Sequence, residues 1–311
     1  MGALNTDGFQ PRVLDKVERL LALLAEMQRH PILKGKLAMY GGTAINLFML
    51  GMPRLSVDID VSYIGSLSKE SMLTERPVIE CALEEVGRFL GYNVSAKEGG
   101  HAGKTFVLRY TSKWGMDHIK IDCIYMNRSP LFPLRLRQCP LLPKLDVLMF
   151  DDVELAGGKV KALFDRVKIR DLYDISNLKK YFDGCSDSNG IMHRTLLYYA
   201  SLSACFPNEF RGRSARFIDR QAELESQLLP MLHSESREPT LTRLMDDTEE
   251  FIEKYVVPRD ENEHLYVELF SKGDYRPELL FDDQVACNAT LNPEAHWKLA
   301  NLKKMNRNTN M

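Results

Sequence analysis

Two aspartates set one residue apart, Asp58 and Asp60 in the run Val57-Asp58-Ile59-Asp60-Val61, are the residues of this chain best placed to do chemistry. Successive side chains of a β-strand point to opposite faces, so both carboxylates share one face while Val57, Ile59 and Val61 turn to the core. Carboxylates on one face repel each other unless a cation sits between them. Hard oxygen ligands of this kind suit Mg²⁺ or Mn²⁺, ions that also bind phosphates. Upstream lies Gly41-Gly42-Thr43. Glycine has no Cβ, so backbone N–H groups there can approach a phosphate closely. Thr43 stands where a helix would begin, where free N–H groups and the helix dipole favour an anion. Its hydroxyl offers one more donor.

The elements that must position these groups can be read around them. Leu37 to Tyr40 form a short apolar strand, and Ala44 to Leu50 read as a helix that Gly51-Met52-Pro53 ends. Val57 to Tyr63 read as the next strand. A lone Asp-x-Asp is commonly solvated charge and a lone Gly-Gly commonly a turn. The ordered combination of strand, Gly-Gly-Thr, helix and Arg-x-Ser-x-Asp-x-Asp strand is far more specific.

That combination resembles the minimal nucleotidyltransferases of the DNA polymerase β superfamily and, more closely, the AbiEii/AbiGii family of toxins. The family pattern stands here as Gly41-Gly42-Thr43-Ala44 followed by Arg54, Ser56, Asp58 and Asp60. A second block of the same family, K-x-x-A-L-x-x-R followed by R-D-x-x-D, is matched by Lys159, Ala162, Leu163, Arg166, Arg170, Asp171 and Asp174. The two matches, in order, cover residues 37–180. Polymerase β-like enzymes take a third carboxylate from a neighbouring strand. In His118-Ile119-Lys120-Ile121-Asp122-Cys123-Ile124-Tyr125 the alternation puts Asp122 on the face opposite Ile119, Ile121, Cys123 and Tyr125. Asp122 is the candidate by resemblance and by position, to complete a metal site with Asp58 and Asp60 or to act as base on an attacking hydroxyl.

The resemblance implies an α/β (α+β) fold. It would have a mixed-sheet polymerase β-like nucleotidyltransferase domain flanked by helices, then a C-terminal helical bundle. It implies NMP transfer from an NTP to an RNA acceptor, the tRNA 3′ end among relatives, with inhibition of translation and growth. Mg²⁺ or Mn²⁺ is the implied cofactor and a cognate antitoxin the implied partner. Catalytic residues would be Asp58, Asp60, Asp122, Lys159 and Asp171. Substrate contacts would come from Gly41, Gly42, Thr43, Arg54, Ser56, Arg166, Arg170 and Asp174. A lysine such as Lys159 near a triphosphate would stabilise charge developing on leaving pyrophosphate. Asp171 and Asp174 are three apart on a helix, and one of them could orient Lys159 or Arg166 by a salt bridge; alternatively, Arg170 to Asp174 is a structural ion-pair network holding two helices together. Two other functions compete. A metal-dependent glycosyltransferase would use Asp-x-Asp but leaves Gly-Gly-Thr and the Lys159 block unexplained. A non-enzymatic NTP-binding protein has no chemical need for an intact set of carboxylates.

The remaining chain is consistent with a globular protein of 311 residues, 44% hydrophobic and 27% charged. No apolar run approaches the ~20 residues that span a bilayer. No secretory signal is evident, and a cytoplasmic location is expected. The six cysteines are scattered without metal or disulfide spacing. A net charge of -2 excludes a globally basic nucleic-acid binder but permits a local basic face.

Residues 1–10 read as frayed and Pro11 to Arg29 as an amphipathic helix. Ser71 to Leu90 read as a helix with a break or fresh start near Pro77. Tyr92 to Ala96 and Lys104 to Tyr110 read as strands joined by a hairpin turn over Gly99 to Gly103. Arg128 to Pro143 read as an irregular connection, with Leu145 to Phe150 leading into a helix. The polar Gly184-to-Gly190 segment marks an expected boundary between a catalytic domain, 1–184, and a helical domain, 190–305, for acceptor or partner recognition. Ile191 to Ala204, Ser214 to Leu229, Leu241 to Val256 and His264 to Ser271 read as its helices. The tail from Lys303 reads as disordered.

Overall fold

The computed structural model describes residues 6–100, 102–187, 189–236 and 239–309. The chain divides into two compact units: residues 1–129, 133–151 and 231–236, and residues 130–132, 152–230 and 237–311. The helices that carry the second motif block therefore group with the second unit. This geometric division is separate from the functional boundary expected at residues 184–190.

The first unit is built on a seven-stranded mixed sheet. Its strands are β1 (Leu37–Tyr40), β2 (Asp58–Tyr63), β3 (Asn93–Gly99), β4 (Gly103–Ser112), β5 (Gly115–Ile124), β6 (Arg135–Cys139) and β7 (Leu142–Met149). Their spatial order is β3-β4-β5-β2-β1-β7-β6. β2 lies antiparallel to β1 and parallel to β5, so the aspartate strand is central. The covering helices are α1 (Pro11–Arg29) and α3 (Lys69–Phe89). Between β1 and β2 the chain forms α2 (Gly41–Thr43), continued by wider turns over Ala44–Met49.

Alternation dictates which face the helices cover. Ile119, Ile121 and Cys123 of β5, with Phe106 and Leu108 of β4, are fully buried. A Cβ at Gly87 of α3 would lie 2.7 Å from Val94 and 3.1 Å from Leu108, so α3 lies directly on this apolar face. α1 contributes Val17, Leu20, Leu24 and Met27 to the core.

Several expectations are corrected. α3 runs unbroken through Pro77. Met72 before the proline and Ile79, Leu83 and Val86 after it are buried, and this packing carries the helix across the missing N–H. Arg128 to Pro143 is not wholly irregular, because Arg135–Cys139 pairs antiparallel with Leu142–Met149. The same pairing makes Leu145 to Met149 strand rather than the approach to a helix. Its apolar residues are buried by a partner distant in sequence, which local periodicity cannot register. Of the expected frayed start, residues 1–5 lie outside the described residues. Phe9 is buried, its ring edge-on to His233 at 5.0 Å. His101 in the β3–β4 turn and Ser188 in the expected linker also lie outside the described residues.

The second unit is helical: α4 (Asp152–Asp165), α5 (Ile169–Asp183), α6 (Ile191–Ser201), α7 (Leu241–Tyr255), α8 (Glu261–Ser271), α9 (Asp283–Thr290) and α10 (Pro293–Thr309). Its core gathers Leu197, Tyr198, Tyr266, Phe270, Phe281 and Leu302. The stretch from Ser214 is a series of short turns rather than one helix. The tail from Lys303 continues α10, where Asn306 Nδ2 donates to the Ser271 carbonyl at 3.0 Å. No described helix is long and apolar enough to cross a membrane.

Candidate active site

In the first unit, register brings the predicted carboxylates together. The parallel β2–β5 pairing sets Asp58 opposite Lys120 and Asp60 opposite Asp122. Directly paired residues project to the same face. Asp58, Asp60 and Asp122 are therefore neighbours on one face, each partly exposed. The antiparallel β4–β5 pairing adds Thr105 opposite Asp122, and the Thr105 hydroxyl donates to Asp122 Oδ1. Sequence reasoning missed Thr105, because nothing local to it reports which residue it will pair with. Lys120 carried a signal, its alternation with Asp122, but its place beside Asp58 is a matter of register.

The glycine turn closes on this face. Gly41 has φ +79, a left-handed conformation that side chains resist. A Cβ at Gly41 would lie 2.0 Å from Asp60 Oδ2. The backbone thus passes immediately over the Asp60 carboxylate, a closeness only glycine permits. A Cβ at Gly42 would lie 3.3 Å from both Arg54 Nη2 and Ser56 Oγ. Arg54 is buried, and its Nη1 donates to the Leu55 carbonyl at 3.0 Å. Arg54 and Ser56 therefore flank the turn from inside, a bracing position.

The helix begins at Gly41, earlier than expected, so Gly41, Gly42 and Thr43 form its first turn, where N–H groups lack intrahelical partners. Thr43 is buried and its hydroxyl donates to the Asp58 carbonyl at 2.6 Å. What it contributes here is a tie between the turn and the aspartate strand, and the expected hydroxyl donor to phosphate is already engaged. Asn46 Nδ2 donates to the Gly42 carbonyl at 2.9 Å. Leu50 N–H reaches back five residues to Ile45 at 2.9 Å, the wide spacing often found at functional sites.

The donor set suits a divalent cation in part. Asp58 and Asp60 supply two carboxylates on one face. Among the described residues no three His, Cys, Asp or Glu side chains form a ready-made metal cage. Mg²⁺ commonly takes one or two carboxylates and completes its shell with water and substrate phosphates, so the pair fits that ion. Beside Asp58, partial burial and the charges of Lys16 and Lys120 hold the His118 imidazole below its usual pKa, against the opposing pull of Asp117 and Asp58.

The second motif block forms its own cluster in the second unit. Lys159 of α4 lies 2.8 Å from Asp171 Oδ1 and 2.8 Å from Asp174 Oδ2 of α5. Its side chain is only 5% exposed, and those of Asp171 and Asp174 are 2% and 0% exposed. Arg166 Nε donates to Asp171 Oδ2 at 2.9 Å while remaining 56% exposed. Burial pushes the Asp171 carboxyl up, but Lys159 and Arg166 outweigh it and hold the pKa below the usual carboxylate range. The expected direct contact of Lys159 with a leaving phosphate is not what this geometry offers. Its ammonium is enclosed by two carboxylates, the salt bridge from Asp171 or Asp174 to Lys159 that the sequence allowed. Arg166 and the partly exposed Arg170 are the cations of this block that face solvent.

The model of the family described as nucleotidyl transferase AbiEii toxin, type IV TA system, matches residues 22–259. No curated protein matches the chain. The nucleotidyltransferase toxin MenT4 from Mycobacterium tuberculosis is similar in structure, with TM-score 0.51 and 14% identity over 94% of this chain and 95% of its own. A candidate nucleotidyltransferase from H. pylori gives TM-score 0.50 and 16% identity over 79% of this chain and 96% of its own. These likenesses bear out the nucleotidyltransferase fold.

Proposed function

The chain belongs to the AbiEii family of nucleotidyl transferase toxins from type IV toxin–antitoxin systems, and we propose that it transfers NMP from an NTP to the 3′ end of an RNA, with tRNA the acceptor. The observation that carries this reading is one shared sheet face. It presents Asp58, Asp60 and Asp122, and the Gly41 turn passes against Asp60.

In this proposal Asp58 and Asp60 hold Mg²⁺ or Mn²⁺, with Asp122 as the third carboxylate. The ion, when bound, neutralises charge on the triphosphate and the departing pyrophosphate. The chain's own residues do the rest. Backbone N–H groups of Gly41, Gly42 and Thr43 bind phosphate oxygens, and Arg54 and Ser56 keep the turn in shape. Asp122, oriented by Thr105, accepts the proton of the attacking 3′ hydroxyl. Positioning and electrostatics supply most of the acceleration. In the second unit Asp171, Asp174 and Lys159 are positioning residues that hold Arg166, which with Arg170 offers cationic contacts to substrate phosphate.

Residues 1–184 are proposed as the functional catalytic domain and 190–305 as the part that recognises the acceptor body or the antitoxin. Action in the cytoplasm, where tRNA is charged, would inhibit translation and growth. The test incubates the protein with total tRNA, Mg²⁺ and each α-labelled NTP beside Asp58→Ala. Label on tRNA that falls to background in the variant is expected. No label from any NTP would overturn the RNA acceptor.

A further inference from the structure

The face of the sheet that carries the carboxylates continues beyond them. Along β5 the residues sharing the Asp122 face are Lys120, His118 and Met116, running back to the β4–β5 turn at Lys113 and Trp114. Lys120 is exposed, the His118 side chain is 46% exposed and Met116 is 66% exposed. Arg109 of β4 lies opposite His118 in register and is also exposed, its guanidinium donating to Ser95 Oγ at 2.6 Å. At the turn Trp114 is 36% exposed, and the Lys113 ammonium stands 4.3 Å from its ring centre. The opposite face of the same strands is the buried one, with Ile119 and Ile121 at 0% exposure.

A half-buried strand in a soluble protein needs only polar residues on its solvent side. This one carries Lys120 and His118 with an exposed methionine and a tryptophan at the turn that precedes it, and the neighbouring strand adds Arg109, in line with the site. From Lys120 to Trp114 the strand rise gives about 20 Å, room for a few nucleotides. Cations that track a phosphate backbone, combined with an aromatic ring on which a base can stack, are the pairing that single-stranded nucleic acid requires. The net charge of -2 makes this local basic track more telling, since the protein as a whole does not attract RNA.

We propose that the Lys120–His118–Arg109 track, ending at Trp114, seats the single-stranded terminal nucleotides of the acceptor RNA and delivers the 3′ hydroxyl to Asp122. This rests on the nucleotidyl-transfer reading above and adds to it the path of the acceptor strand. The chain has two tryptophans, so a Trp297→Phe background leaves Trp114 as the sole tryptophan reporter. Titration with single-stranded oligoadenylate RNA should quench its emission. Lys120→Ala and His118→Ala should each weaken that binding by about fivefold to tenfold, and added salt should weaken it further. Trp114→Ala should raise KM for tRNA by about tenfold with little change in KM for NTP. Quenching that persists in Asp58→Ala would support the track even where no label is transferred, so the two readings fail separately. Absence of quenching, or an unchanged KM for tRNA in Trp114→Ala while label transfer proceeds, would overturn the track.

Discussion

Gly41 is the residue on which the site's geometry turns. Its positive φ costs a side-chain-bearing residue roughly 1–2 kcal/mol, and a Cβ there would strike Asp60 Oδ2. Gly41→Ala should therefore lower label transfer by at least about a hundredfold, since a misplacement of ~1 Å at a reacting centre has that scale of effect. Its urea midpoint should fall by a smaller, measurable amount. Transfer at the wild-type rate would show that the turn is not part of the site. Lys159 makes the contrasting case. Lys159→Met removes the cation between two buried carboxylates and should cost about 3–5 kcal/mol in urea unfolding. A purely catalytic lysine would leave the unfolding curve unmoved.

At the scale of elements, two adjacent glycines of α4 separate packing from propensity. A Cβ at Gly157 would lie 2.4 Å from Tyr199 Cδ2 of α6, while one at Gly158 would meet nothing within 4 Å. Gly157→Ala should force α4 and α6 apart and cost about 1–3 kcal/mol. Gly158→Ala should instead stabilise by about 0.5–1 kcal/mol, because alanine loses less backbone entropy in a helix. Thermal melts of the two variants should shift in opposite directions. Glu154, at the start of α4, shows how a helix recruits its surroundings. Its carboxylate accepts from Leu131 N–H at 2.8 Å, Phe132 N–H at 3.1 Å and the Tyr199 hydroxyl at 2.9 Å. This ties the 130–132 segment into the helical unit despite its separation in sequence.

For the molecule as a whole, the acid limb of stability has an identifiable contributor. Burial raises the pKa of Glu263, but His193 and the Arg259 N–H overcompensate and bring it from the usual 4.5 to about 2. A depressed folded pKa means stability that is present above the unfolded value and lost as pH falls through the folded one. Glu263 should therefore contribute on the order of 2–3 kcal/mol above pH ~4.5, lost as pH falls towards ~2. The urea midpoint of Glu263→Gln should show a flatter fall across that window than the wild type. An unchanged slope would place the acid-sensitive groups elsewhere, with Asp171 the next candidate. Expression in a growing host provides the whole-molecule test of toxicity, where Asp58→Ala should restore growth.

What the sequence by itself determined is the set of groups and the elements that carry them. The alternation around Asp58, Asp60 and Asp122 named one face of two strands, and the Gly41-Gly42 pair marked the turn. Helix α1, Pro11–Arg29, was legible from end to end because its apolar residues recur locally. Tertiary structure alone decided which strands adjoin, and hence that Asp60 faces Asp122, that Asp58 faces Lys120 and that Thr105 holds Asp122. It alone made Leu142–Met149 a strand and enclosed Lys159 between Asp171 and Asp174. Periodicity is a property of neighbours along the chain. Register, burial and charge pairing are set by residues distant along it, and no local pattern encodes which of them will meet.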